Sequence, residues 1–419
     1  MKDKLDYMPQ STWNIYSDNK SQKNMENIAK RYIDFLTKCK TERETISYVK
    51  NILLKQDFTE NFADKNVMRV LRNKAIFAAK RGKKSLENGL LLIAAHADTP
   101  RLDFKQRPLI EQPTIAQAKT HYYGGIRKYQ WLARPLAIHG VIVKSDGKIL
   151  ELNIGEKDDD PVFCISDLLP HLAQKQNELT IRDAFEGEKL NIVLGHSHNK
   201  QDKKETNGIK DIVKQKVLEI LHKKYLISEE DLISAEIQVV PAGPARFVGF
   251  DKSLIGGYGQ DDRICVFTAL EAFLKAKSDQ NIAVIFWDKE EIGSDGATGA
   301  SSRFLQYCVE DLAREDKNLF ASQVFMNTRA ISADVQAALD PDFPEVHEKQ
   351  NAAQLGFGPC FSKFTGSRGK YGASDADAEF FGSIRNLFNK HKIPWQVAEC
   401  GKVDLGRICI LFMGVMWTH

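Results

Sequence analysis

Residues 281–302 read NIAVIFWDKEEIGSDGATGASS, and the fold class follows from how the first half of that stretch gives way to the second. Ile282 to Trp287 is a short continuous apolar run with β-branched residues, closed by Asp and Gly, which is the pattern of a strand covered on both faces. Glu290 and Glu291 follow directly. Adjacent residues on a strand point to opposite faces, so two carboxylates serve one site only where the backbone has already left the sheet, here expected at Asp288. In open α/β sheets the ligand crevice lies outside the carboxyl ends of the strands. One Glu there binds a cation while its neighbour handles protons. An acidic, Gly-rich surface loop is the plainer alternative, and partners elsewhere in the chain decide between the two.

At 419 residues the chain is too long for one ordinary core, so two domains, or one large domain with an insertion, are expected. Lys plus Arg (59) nearly balances Asp plus Glu (56), which removes any global electrostatic argument for nucleic acid or an anionic membrane. No apolar run approaches membrane-spanning length. The first residues, MKDKLDYMPQSTWNIYSDNK, are charged where a secretory signal has an apolar core, so a cytoplasmic protein is expected. The seven cysteines, at 39, 164, 265, 308, 360, 400 and 409, form no CxxC pair and read as reduced packing residues.

Outward from the central stretch, 24–55 shows helical spacing, with Ile28, Tyr32, Phe35 and Leu36 on one face and Ile46, Val49 and Leu53 on the next. Thr41 and Glu44 form a capping-box signature between these two helices. The run GLLLIAA (89–95) reads as a buried strand that ends in HADTP (96–100), so a second strand end presents His96 and Asp98. Such a His ligates a metal while Asp98 orients its imidazole, although a hydrogen-bonded structural His is the commoner case. From 101 to 245 the texture turns to short β-like pieces, prolines, a very polar stretch and an amphipathic helix near 212–226, which reads as an inserted domain. Its aromatic segment HYYGGIRKYQWLARPLAIHG (121–140) suits either oligomer contacts, the preferred reading, or a core hairpin.

The α/β pattern returns at Phe247. GGYGQDDR places Asp261 and Asp262 at the start of a helix, where capping alone is an adequate reason for either. A third carboxylate site changes that balance: Asp334 follows a strand expected at 323–327. A His among several carboxylates, with no Cys nearby in sequence, suits zinc or manganese, and so many carboxylates favour two ions about 3.5–4 Å apart. Water activated there near neutral pH passes its proton to an unligated Glu, which delivers it to the leaving amine.

HADTP, YGGIRKYQWLARPLAIHG (123–140), DLLPHL (167–172), GQDDR (259–263), DKEEIGS (288–294), SADVQAALDPDFPEVHEKQN (332–351) and KFTGSRGKYGAS (363–374), in that order, resemble the aspartyl aminopeptidase family of dinuclear zinc aminopeptidases. The resemblance runs from about Ile28 to Gly406. It implies an α/β fold: a three-layer α/β/α catalytic domain, at 1–100 and 246–419, split by a mostly-β dimerisation domain at 101–245. It implies that His96, Asp261 and Asp334 bind one zinc, with Asp261 bridging to a second held by Glu291. Glu290 is then the general base and Asp98 the residue that orients His96. His121 and His171 are candidates for completing a neighbouring subunit's substrate site, and the basic loop of Lys363, Arg368 and Lys370 for meeting a substrate carboxylate. Peptide substrates with acidic or neutral N-terminal residues, two Zn2+ with Mn2+ or Co2+ as substitutes, and a homo-oligomer, a dodecamer built from dimers, complete the expectation.

After GKVDLG (401–406) the resemblance stops. Family members continue with a glycine-rich turn, a helix, a strand and a Met-His segment whose His completes the second zinc; here RICILFMGVMWTH (407–419) follows. A shifted reading frame or premature end is the expectation, with His419 the one residue of the tail able to stand in as a ligand. Without a substitute, the second metal keeps only Asp261 and Glu291, and a sheet edge and apolar surface lie uncovered. Two rival readings follow. One is an impaired family member kept as an assembly or binding subunit, or a non-functional product. The other is a glutamyl-aminopeptidase-like dizinc peptidase, against which the aromatic segment and the KFTGSRGKYGAS loop both argue.

Overall fold

The structure, a computed structural model, describes residues 5–198, 211–316, 318–364, 369–370, 375–399 and 401–403. The chain divides into two compact units, 1–98 with 259–419 and 99–258. The second junction therefore falls after the hairpin of Arg246–Val248 and Leu254–Gly256, and not at Ala245, where the sequence texture changes.

The first unit is built on a five-stranded sheet in the order Asn66–Leu71, Ala75–Lys80, Asn281–Trp287, Leu90–His96, Arg329–Ser332. The first three neighbours pair antiparallel, and the last three strands run parallel. Their apolar continuity has a direct cause, since both faces are covered. Ala283, Ile285 and Trp287 alternate onto one face with Leu90, Leu92 and Ala94, where they pack against Phe304, Cys308, Val309 and Leu312 of the Phe304–Arg314 helix and Val324 of the Ala321–Asn327 helix. Val284 and Phe286, also buried, point the other way. On that side the Gln260–Lys275 helix packs on the two central strands and the Asn19–Lys38 helix packs on it, with Phe35 and Phe267 rings 5.6 Å apart. Burying a side chain such as Phe286 is worth about 1.5–3 kcal/mol. The result is three layers, α/β/α, as expected.

The capping box at the Glu42–Leu54 helix is present: Thr41 Oγ1 accepts from the Glu44 N–H, and Glu44 accepts from the Thr41 N–H. Two expectations need correction. Ile28 is 44% exposed, because its helix begins at Asn19 and buries only the later turn of Tyr32, Phe35 and Leu36. Residues 323–327 are not a strand. They end the Ala321–Asn327 helix, whose Val324 and Phe325 pack on the core, and the strand is the shorter Arg329–Ser332. Thr328 joins the two, its hydroxyl donating to the Val324 carbonyl and accepting from the Leu90 N–H.

The second unit is a six-stranded antiparallel sheet in the order Ile149–Ile154, Leu136–Val143, Glu236–Pro241, Arg101–Glu111, Ala116–Tyr123, Ile192–Gly195, with the Ile212–Tyr225 helix packed on it. In the aromatic segment Tyr123 and Trp131 are buried while Tyr122 and Tyr129 are exposed. Among the described residues no helix is long and apolar enough to cross a membrane, and the five described cysteines are free thiols.

Candidate metal centre

Register places the site. Trp287 pairs with His96 and Ser332 with Ala94 in the parallel part of the sheet, so three strands end side by side and their next residues share one rim. The Ala97 N–H donates to the Trp287 carbonyl and the Ala333 N–H to the Ala94 carbonyl, which carries the alignment one residue past each strand. That alignment brings His96 and Asp98, Glu290 and Glu291, and Asp334 together. The Gln260–Lys275 helix adds Asp261 and Asp262 from beside the central strands.

His96 is buried. Its Nδ1 lies 3.2 Å from Asp98 Oδ1, and its Nε2 faces Asp261 Oδ1 at 3.1 Å, Asp334 Oδ1 at 3.6 Å and Glu290 Oε2 at 3.9 Å. Asp98, fully buried, also accepts from the Glu290 N–H through Oδ1 and from the Glu291 N–H through Oδ2. The Glu pair sits on one short turn, Glu290–Ile292, with Lys289 and Gly293 in left-handed conformations at its ends, so the two carboxylates leave the sheet together. At Gly293, φ is 102°, a value a side chain would strain.

Asp262 also joins the cluster, although sequence reasoning passed over it in favour of its neighbour. It is fully buried, and its Oδ2 accepts from the His96 N–H at 3.3 Å. The signal was the doubled Asp, of which a cap needs only one. Both residues have non-helical backbone, and a cis peptide bond joins them.

The residues fit a metal. Ligand atoms of His96, Glu290 and Glu291, and of His96, Asp262 and Asp334, lie within 4.8 Å of one another. Glu291 Oε1 and Asp262 Oδ1 are buried with no hydrogen-bond partner among the described residues. Burial, reinforced by Asp261, pushes the Glu291 carboxyl up to about 8. Burial likewise raises Glu290 and Asp334, although His96 opposes it, and holds Asp262 well above the usual carboxylate range. For His96 burial acts downward, but Asp261, Asp334 and Asp98 outweigh it and hold the imidazole well above its ordinary value. So many acids crowded on one imidazole lack positive charge, and a divalent cation with N and O ligands supplies it.

The family model of the aminopeptidase I zinc metalloproteases (M18) matches residues 35–406. The chain belongs to this M18 family. It is 47% identical over 403 residues to a probable M18 family aminopeptidase 1 of Thermotoga maritima, covering 94% of this chain and 87% of that one. A Clostridium acetobutylicum relative of the same description is 44% identical over 412 residues, with the same coverage. The crystal structure of the M18 aminopeptidase of Thermotoga maritima superposes with a TM-score of 0.89 at 44% identity, covering 96% of this chain and 89% of that one. At 21% identity, a dodecameric S. cerevisiae mApe1 structure shares the fold, with a TM-score of 0.71 over 91% of this chain and 86% of that one. This M18 chain is thus a metalloprotease of the aminopeptidase class.

Among the described residues, the groups around His96 do not include the other expected site residues of the M18 chain, which have surroundings of their own. His121 and His171 lie exposed in the second unit, and His121 Nδ1 is 2.8 Å from the Tyr122 carbonyl. Lys370 pairs with Asp375 at 3.0 Å and sits over the Phe364 ring, while Lys363 is exposed. Arg368 and His419 lie outside the described residues.

Proposed function

We propose that this chain removes N-terminal residues, acidic or neutral, from peptides at a centre of two zinc ions, with manganese or cobalt as substitutes. The observation that carries the reading is His96 Nε2 facing three carboxylates while Asp98 fastens both His96 and the Glu pair. Asp261 would stand between the two ions, His96 and Asp334 on one, and Glu291 on the other. When bound, zinc polarises the peptide carbonyl and makes water a nucleophile near neutral pH. The chain's own part is proton traffic and alignment. Glu290, whose side chain is 48% exposed, is the member open to solvent. It takes the proton of the attacking water and returns it to the leaving amine, and its raised pKa suits a base working near neutrality. Asp98 keeps the imidazole in one tautomer and orientation.

The same reading makes the protein cytoplasmic and assembles it as a dodecamer built from dimers, with the second unit at the contacts and His121, His171, Lys363 and Lys370 near substrate. The test is metal content per chain in purified protein, alongside hydrolysis of Asp-, Glu- and Leu-derived aminoacyl substrates with zinc, manganese or cobalt. Two metals with chelator-sensitive release are expected. Equal cleavage of N-acetylated peptides, or no turnover at any metal loading, would sink the reading.

A further inference from the structure

The loop that carries the Glu pair has a second fastening, which none of the roles above uses. Asp288 and Thr298 stand at its two ends, and both are buried. The Asp288 N–H donates to the Thr298 carbonyl at 3.2 Å, and the Thr298 hydroxyl donates back to Asp288 Oδ2 at 2.8 Å. The pair therefore closes a ring around Glu290 and Glu291. Inside that ring the Gly293 N–H donates to the Glu290 carbonyl and the Ser294 N–H to the Lys289 carbonyl. The Lys289 ammonium lies 3.6 Å from Asp288 Oδ2 and partly offsets its charge. A hydrogen bond to a buried carboxylate is among the stronger kinds, and a turn with no task beyond linking two elements does not require one.

We propose that Thr298 and Asp288 are positioning residues for the Glu pair, resting on the functional reading given above. Asp98 holds the first turn of the loop from below by its two N–H contacts; the Asp288–Thr298 closure holds the loop's far end. Without the Thr298 hydroxyl, the closure keeps only its backbone hydrogen bond, and the segment returning from Gly293 fixes the distance of Glu291 from His96 less tightly. The M18 family supplies the metal chemistry, and this latch sets how tightly this chain's own loop presents its share of the ligands.

Thr298→Val removes the hydroxyl at nearly constant volume, and Thr298→Ser keeps it. Metal affinity is read by competition with a chromogenic chelator, together with the thermal midpoint of the metal-free protein and kcat and KM on a Leu-derived substrate. The expected result is about tenfold weaker zinc binding in T298V, as for other residues that orient ligands, a fall in kcat with little change in KM, and near-complete rescue in T298S. T298A is read in the same way should T298V not fold. Unchanged zinc affinity and kcat in the hydroxyl-free variant, or equal impairment in T298V and T298S, would overturn the proposal. A wild-type chain without aminopeptidase activity but with weakened zinc binding in T298V would leave the latch standing and remove only the functional reading.

Discussion

Asp98 Oδ2 accepts the backbone N–H of Glu291 at 3.2 Å, while Oδ1 of the same carboxylate stands 3.1 Å from the Glu290 nitrogen and 3.2 Å from His96 Nδ1. One buried carboxylate thus ties the end of one strand to the loop after its neighbour.

Replacing Asp98 with Asn tests that tie. An amide offers one acceptor oxygen where the carboxylate offers two, so one N–H of the His96, Glu290 and Glu291 set must face an NH2 group. Each buried donor left unmatched costs about 1–3 kcal/mol. D98N is expected to bind zinc about 10–100-fold more weakly and to melt lower, checked by chelator competition and calorimetry. Wild-type zinc affinity would show that Asp98 orients nothing.

The two glutamates are expected to separate in their readouts. Glu290→Gln should leave metal content intact and lower kcat by about 10²–10⁴, the usual worth of a positioned general base. Glu291→Gln should lower metal content itself, since its Oε1 is buried without a hydrogen-bond partner among the described residues. Metal analysis on both variants decides, and a loss of metal in E290Q with none in E291Q would exchange the two assignments.

Legibility differed by the kind of signal. The buried strands at 90–96 and 281–287 were readable because both faces are covered and their apolar runs are unbroken. The strand at 329–332 was misplaced, because a one-turn shift between a short helix and a four-residue strand leaves no period to read. His96, at the end of one strand, and Glu290 and Asp334, after the ends of two others, could be singled out because parallel register makes such positions neighbours. Asp262 and Thr298 were not found. Their parts depend on side-chain contacts to His96 and Asp288, made across gaps in sequence that no spacing rule spans.

Arg263, directly after Asp261 and Asp262, offers a stability test on the helix that carries them. It is almost fully buried, and its guanidinium donates to the Lys40 carbonyl at 2.9 Å and the Thr45 hydroxyl at 3.2 Å, anchoring the helix that carries Asp261 to the corner between the first two long helices. Lys cannot reproduce that planar fork. Arg263→Lys is expected to cost about 1–3 kcal/mol through acceptors left without a donor, read from urea unfolding. An unchanged midpoint would mean that the anchor is dispensable.

The crowded acids also set how stability responds to pH. Glu291 holds its proton to about 8 in the metal-free fold, against an ordinary value of 4.5. Between those values the folded chain binds more protons than the unfolded chain, so raising pH through that window lowers the stability of the fold. Glu290, Asp334 and Asp262, all raised, act in the same direction. His96 adds to it: its folded pKa is raised, so its contribution is whole below 6.5 and is lost as pH climbs through the folded value. Metal-stripped protein should therefore show a thermal midpoint that falls between about pH 5 and pH 8.5. Metal binds the deprotonated ligands and releases their protons, so its stabilising effect should grow over the same range. Thermal scans with chelator and with zinc, at matched ionic strength, read both slopes. A metal-free midpoint that rises across this window would show that the carboxylates are already ionised and paired, and that the cluster does not need a cation.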